Sequence, residues 1–317
     1  GTLGQFSERS DGVVYNFEAN PDPLISTNQG DKISYVNAAI TASGMVSLGG
    51  GVSLDHGTQA TIGTTTATSN YFTDPNLNFL GAKFNGSLLA VINGPNGPAS
   101  LTISDRILGV YDGSSISSEP GNKALLSVLD AKLIGPASPI PLIAVEAGFK
   151  EDGVTPGSTP EVTVTSAVVT RSTIPLDGAL LEASAPLFAL TKAYMTTTSH
   201  FADLAGNQAQ SMLLNDSLVA LSASNLTIKG NLLNLNTATA TVNGYLFSLN
   251  NSSTLTLDSG ALFSLTSGSS LNLNGNAFGV FGSGANTLSI DNNLCTATCF
   301  QLVNSTNQPF LINGVTP

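Results

Sequence analysis

Residues 246–261, "LFSLNNSSTLTLDSGA", and residues 262–277, "LFSLTSGSSLNLNGNA", open with the same four residues and follow one plan: an apolar cluster, a polar turn, a short alternating strand and a second turn. The lines around them keep to it. "SLVALSASNLTIKGN" starts at Ser217, "LLNLNTATATVNGY" at Leu232 and "FGVFGSGANTLSIDNN" at Phe278. The leading apolar residues Leu218, Leu232, Leu246, Leu262 and Phe278 are spaced by 14, 14, 16 and 16. The second strands align as Leu226-Thr-Ile228, Ala240-Thr-Val242, Leu255-Thr-Leu257, Leu271-Asn-Leu273 and Leu288-Ser-Ile290. Self-similarity at a fixed period is the mark of a repeat architecture.

Period-2 alternation over three to five residues, bounded by Gly, Asn, Asp and Ser, reads as short strands. A helix would need its apolar stripe to continue through "TSGSS" and "NNSS", which break it. Short strands at regular spacing fit an antiparallel sandwich or a parallel solenoid. Recurrence of similar residues at equivalent places favours the solenoid, in which each strand stacks on its counterpart one coil away, ~4.8 Å along the axis. Leu and Phe then build interior columns, and Asn and Ser at the turns can build hydrogen-bonded ladders. A repeat of 14 to 19 residues is short for a three-sided coil. A coil is therefore either a flattened two-sided turn or two repeats, and the spacing alone leaves both open. Set under residues 246–261, residues 260–276 are expected to be one repeat of a stacked array in which Leu262, Phe263 and Leu265 continue interior columns.

The pattern reaches upstream through "SLLAVINGPNGPASLTISD", "ILGVYDGSSIS", "ALLSVLDAKLIG" and "PLIAVEAG", and downstream through "CFQLVNSTNQPFLINGV". The expected fold is all-β: a parallel β-helix (β-solenoid) over residues 85–317, with an irregular N-terminal arm or cap over 1–45 and a transition into the first coils over 46–84. Residues 178–221 are richer in Ala, Leu and Met. They read as strand with an irregular insertion, a helix over "FADLAGNQAQSMLL" being the alternative. "KEDGVTPGSTP" at 150–160 marks an exposed loop.

Composition narrows the function. Charged residues make up 10% of the 317, against ~25% in an ordinary soluble domain, while AVILMFWYC reach 41%. Regular apolar spacing to the end argues against disorder, which needs low hydrophobicity and high net charge. A net charge of −11 with ten scattered basic residues speaks against nucleic acid and against anionic lipid surfaces. No apolar run is long enough for a transmembrane helix, so no membrane insertion is expected. The chain starts at Gly1 without a basic n-region and h-region, as a processed mature chain or a fragment lacking its signal would. Cys295 and Cys299 in "CTATC" have no further Cys and no nearby His, so zinc lacks ligands. A local disulfide between them is expected, two free thiols being the alternative, and it fits an oxidising, extracytoplasmic setting.

Few constellations suggest chemistry. Arg9, Arg106 and Arg171 sit in different regions, and the densest charged group, Glu146, Lys150, Glu151 and Asp152, falls at the Gly/Pro loop, where a solvated turn is expected. Asp55-His56 would cooperate only in a turn, and His200 with Asp203 only if the segment is helical or turns there. "SLGGGVS" at 47–53 lacks the Lys of a phosphate loop and reads as turn. Asn-x-Ser/Thr occurs at Asn85, Asn215, Asn225, Asn250, Asn251 and Asn304, residues expected at turns and in ladders unless the source glycosylates them. No catalytic, metal or cofactor residues are assigned.

The "LFSL", "LTL", "LNL" and "LSI" units between "NG", "DSG" and "SG" turns resemble the right-handed parallel β-helix passengers of bacterial surface proteins, the autotransporter and filamentous-haemagglutinin-like families. The likeness is one of pattern and covers about three quarters of the chain. It implies secretion, an extracellular or cell-surface location, and adhesive or scaffolding work, with host or matrix glycans or surface receptors as partners. A solenoid end exposes unpaired backbone groups that invite another chain. "QPFLINGVTP" stays apolar almost to the terminus, so Phe310, Leu311, Ile312 and Val315 are the expected assembly end, stacking on copies of the same chain into filaments. The alternative is a polysaccharide lyase or hydrolase on the same fold, which requires two or three carboxylates and a Lys or Arg in one groove.

Overall fold

The computed structural model describes residues 87–290 apart from 94–98, 119–120, 122, 151, 173–179, 207–209 and 283. It also describes Gly57 and the strands Lys32–Ile33, Ala38–Ala42, Gly44–Leu48, Val52–Leu54, Gln59–Ile62 and Phe310–Asn313. Among these residues every regular element is a strand, and the strands pair in parallel into four sheets, three of seven strands and one of nine. The chain is a parallel β-solenoid of about six turns.

One coil shows the plan. Ala202–Gly206, Met212–Leu214, Val219–Ser222 and Asn225–Ile228 follow one another round the axis and belong to four different sheets, here sheets A, B, C and D. The next coil repeats them as Leu233–Asn236, Thr239–Val242, Phe247–Asn250 and Thr254–Leu257, each in register on its predecessor. In sheet C, Phe188, Val219, Phe247 and Phe278 lie one above another. Hydrogen bonds between such stacked positions span 31, 28 or 33 residues.

A coil therefore holds two sequence repeats, the second of the two readings that the spacing left open, and residues 262–276 do not stack on 246–261. Phe263 and Leu265 stack on Leu233 and Leu235 in sheet A, while the matching Phe247 and Leu249 stack on Val219 and Leu221 in sheet C. The physical reason is that each repeat closes only half a turn. Its polar turn is a left-handed corner between two strands: Thr237 (φ 52°) and Ser267 (φ 56°) between sheets A and B, Ala223 (φ 50°) and Asn251 (φ 53°) between C and D. Its second turn carries the chain to the opposite half. There the coils touch backbone to backbone, and a Cβ on Gly260 would stand 1.9 Å from the Gly230 carbonyl oxygen. Only glycine fits such an approach.

Inside, equivalent apolar residues form columns. Leu89, Leu126, Val168, Ala202, Leu233 and Phe263 make one in sheet A, each at most 1% exposed. Phe247 and Phe278 stack with ring centroids 5.4 Å apart, and Phe188 meets Phe201 edge to face. Burying each such side chain contributes ~1.5–3 kcal/mol. Leu262, by contrast, lies at the corner before its strand, although it too is fully buried.

The expected polar ladders are present. At the corner between sheets C and D, the Ala193 N–H donates to Ser224 Oγ (3.1 Å), the Ser224 N–H to Ser253 Oγ (3.2 Å) and the Ser253 N–H to Asn286 Oδ1 (2.8 Å). At the turn between sheets B and C, Asn274 Nδ2 donates to Asn243 Oδ1 (2.7 Å) and Asn243 Nδ2 to Asn215 Oδ1 (2.9 Å). Buried backbone groups at corners need such partners. Residues 202–206 and 212–214 are strands, in line with the reading of 178–221 as strand.

Phe310, Leu311 and Ile312 lie in the strand Phe310–Asn313, which pairs with Asn286–Ile290 and is the last strand of the nine-stranded sheet D. Val315, Cys295 and Cys299 lie outside the described residues, as do Asp55, His56, Asn85, Asn304, Glu151 and Arg9.

Candidate functional site

In a solenoid the coil interior is filled, so ligands meet the outer faces of the sheets. Outward positions of sheet A alternate with its apolar columns: Ala90, Ser127, Val169, Asp203, Asn234 and Ser264 form one row, Leu129 and Arg171 belong to the next. Over four consecutive coils this face sinks into a groove of about 290 Å³. Among the described residues its charged groups are Lys123, Arg171 and Asp203, and Leu129 and Val169 also line it.

Arg171 is fixed by its neighbours. Nη1 donates to the carbonyl oxygens of Thr170 (2.8 Å) and Asp203 (2.9 Å), and Nη2 donates to the Asp203 carboxylate. The other Asp203 oxygen accepts from Asn234 Nδ2 at 2.8 Å. Arg171 and Asp203 thus face each other from adjacent coils, with Nε–H and one Nη2–H of the guanidinium unengaged among the described residues. Lys123 stands at the start of the strand Ala124–Leu129 and is only 7% exposed. Among the described residues no hydrogen bond or ion pair engages its ammonium, although it lines the groove. The hydroxyls of Ser87 and Ser127 hydrogen-bond to each other (2.5 Å), and Thr165 Oγ1 donates to the Gly121 carbonyl oxygen.

The residues singled out from sequence are distributed differently. His200 and Asp203 lie on either side of the corner that leads into sheet A, but they do not form a base and carboxylate couple. His200 Nδ1 accepts the Asn231 N–H (2.9 Å), and both Asp203 oxygens are taken. Burial lowers the His200 pKa; the Asp203 charge works against this and Arg171 with it. Glu146 is separated from the loop, since it ends a strand of sheet C and its carboxylate is 3.9 Å from Arg106. Next to that pair Tyr111 folds back over Gly109, where a Cβ would stand 2.3 Å from the ring. Burial raises the Tyr111 pKa, with Arg106 opposing.

The loop is a small protrusion, as expected. Lys150 N–H donates to the Thr155 carbonyl oxygen, and Phe149 bridges Pro156 in antiparallel fashion. Asp152 accepts from the Val154 and Thr155 N–H groups and from the Thr155 hydroxyl (2.5 Å), bonds that hold its carboxyl down to about 2. Phe149 and Val154 are 60% and 78% exposed there. Of the Asn-x-Ser/Thr asparagines, Asn215 is a ladder member, Asn225 begins a strand of sheet D exposed, and Asn251 Nδ2 donates to Ser222 Oγ.

Among the described residues no group of three or more His, Cys, Asp or Glu side chains is placed to hold a metal ion, and no helix is long and apolar enough to cross a membrane. Sequence reasoning missed the groove because Arg171 and Asp203 are 32 residues apart and Lys123 lies a further coil upstream. Only the coil length makes them neighbours. The structure defines the class of the protein as a parallel β-solenoid. Comparison with protein families, with curated proteins and with solved structures finds no match for this chain.

Proposed function

We propose that this is an extracellular structural or adhesive surface protein, akin to the β-helix passengers of autotransporter and filamentous-haemagglutinin-like proteins, and a subunit that stacks end to end on copies of itself. The observation that supports this most is the unbroken in-register pairing along sheet D, from Lys32–Ile33 to Phe310–Asn313. Among the described strands Phe310–Asn313, with Phe310, Leu311 and Ile312, is last in that sheet, and a strand in that place presents backbone donors and acceptors to a neighbouring chain. A heterologous contact of this kind grows open filaments. The neutral Ser, Thr and Asn exterior suits a secreted rod that meets glycans or surface receptors.

The alternative is a polysaccharide lyase or hydrolase. It asks for two or three carboxylates in one groove, and the groove on sheet A, among the described residues, offers Asp203 alone, already engaged by Arg171 and Asn234. Holding a ligand fits that arrangement better than cleaving one. Electron microscopy and concentration-dependent light scattering of the purified chain test the assembly. Filaments or growing particles are expected, and a strictly monomeric particle at high concentration overturns the proposal.

A further inference from the structure

We propose that the groove on sheet A binds an acidic saccharide, with the ammonium of Lys123 and the free edge of the Arg171 guanidinium receiving its carboxylate or sulfate. This deepens the adhesive reading and rests on it for the extracellular setting of the ligand; the binding chemistry rests on the groove alone.

Three observations converge. Lys123 is more than nine-tenths buried, lines the groove, and its ammonium has no partner among the described residues. The stem of Lys123 is packed while its ammonium nitrogen keeps access to solvent in the groove, where an incoming anion can reach it. Arg171 adds a second cation whose orientation is already fixed through Thr170 and Asp203, so a ligand need not order it. Among the described residues the lining carries two cations against one carboxylate, which is paired with Arg171, so Lys123 is the unpaired charge there in a chain with 10 basic and 21 acidic residues.

The rest of the lining selects a sugar among anions. Ser166 and Ser199 line the groove together with the two cations, and serine hydroxyls match a polyhydroxylated ligand in both donor and acceptor roles. Leu129 and Val169 add apolar lining against which the C–H face of a ring can pack. A volume of about 290 Å³ is at the low end of ligand pockets, room for one sugar unit, while the open groove lets neighbouring units of a chain pass on either side.

The test is titration calorimetry on dilute, unassembled protein with three probes: a galacturonate trisaccharide, a sulfated chondroitin tetrasaccharide and neutral maltotriose. The expected result is binding of at least one acidic probe, weakened by salt, and none of maltotriose. The two acidic probes separate a carboxylate from a sulfate preference. Lys123→Met, which keeps the packed stem, is expected to weaken binding at least tenfold, Lys123→Arg to retain it, and Lys132→Met on sheet B to leave it unchanged. As a second measurement on the unaltered protein, the bound saccharide is expected to slow acetylation of Lys123, read by mass spectrometry, and not that of Lys132. Absence of binding by both acidic probes, binding of maltotriose at equal strength, or undiminished binding by a folded Lys123→Met variant overturns the proposal. None of these outcomes bears on end-to-end assembly, which scattering reads separately.

Discussion

Two buried hydroxyls in this solenoid should respond to deletion with opposite sign. Thr170 points into the interior column of sheet A between Val128 and Leu204, it is fully buried, and its Oγ1 has no hydrogen-bond partner. Folding strips water from that hydroxyl without replacement, a penalty of ~1–3 kcal/mol. Thr170→Val substitutes a methyl of similar size and should recover about 1 kcal/mol or more. Ser253 is equally buried, but its Oγ accepts the Ser224 N–H (3.2 Å) and donates to the Asn250 carbonyl oxygen (2.6 Å). Ser253→Ala leaves the Ser224 N–H and the carbonyl short of a partner and should cost ~1–3 kcal/mol by the same rule. The two variants should therefore differ by ~2 kcal/mol or more. Because coils interact chiefly with their neighbours, a single global midpoint is a poor measure. Hydrogen exchange read peptide by peptide is the assay, with protection rising over 124–129 and 202–206 in Thr170→Val and falling over 219–228 in Ser253→Ala. A neutral or destabilising Thr170→Val would refute the assignment of an unsatisfied hydroxyl to that column.

Other consequences follow from the same packing. Phe247→Ala empties a fully buried site and removes the stacked contact with Phe278; a loss of ~3–5 kcal/mol is expected, seen as early exchange of the coils beyond residue 233 while those before 190 stay protected. Gly260→Ala places a Cβ against the Gly230 carbonyl, and because backbone rather than side chain must give way, a cost of ~1–3 kcal/mol or more is expected, read as lost hydrogen-exchange protection in the strands next to residues 230 and 260. His200 accepts the Asn231 N–H only while its Nδ1 is unprotonated, and its pKa is lowered mainly by burial. A group with a depressed folded pKa gives its full stabilisation above the unfolded value of ~6.5 and loses it as pH falls through the folded value. Wild type should lose more stability than His200→Gln between pH 7.5 and pH 5, and equal losses would count against that hydrogen bond.

The repeat was legible because Leu262, Phe263 and Leu265 echo Leu246, Phe247 and Leu249, and such an echo fixes local conformation: strand, left-handed corner, strand. It does not fix what stacks on what. Both halves of a coil face the same interior and bend at the same kind of corner, so the same residues serve on opposite sides. The stacking is written instead in the polar ladders, where Ser224 and Ser253, or Asn243 and Asn274, recur at the two-repeat interval. The groove was illegible for a related reason. Arg171 and Asp203 are distant along the chain, and of the scattered basic residues Lys123 and Arg171 come to one face only through the coil length. His200 and Asp203, by contrast, are close in sequence and suggested a couple. The corner at residues 199–201 gives each its own partners on the next coil or the previous one.

The half-turn repeat itself is open to one direct measurement. Thr239 and Ser270 are neighbours in sheet B, with hydroxyls 3.0 Å apart, whereas Thr254, the residue that matches Ser270 in the adjacent repeat, lies in sheet D beside Asn225 and Thr287. Parallel neighbours at strand spacing are within reach of a disulfide. In a chain with Cys295 and Cys299 replaced by Ser, Thr239→Cys with Ser270→Cys should cross-link fully under mild oxidation, and Thr254→Cys with Ser270→Cys should stay reduced. Cross-linking of the second pair, or failure of the first, would contradict a coil built from two repeats.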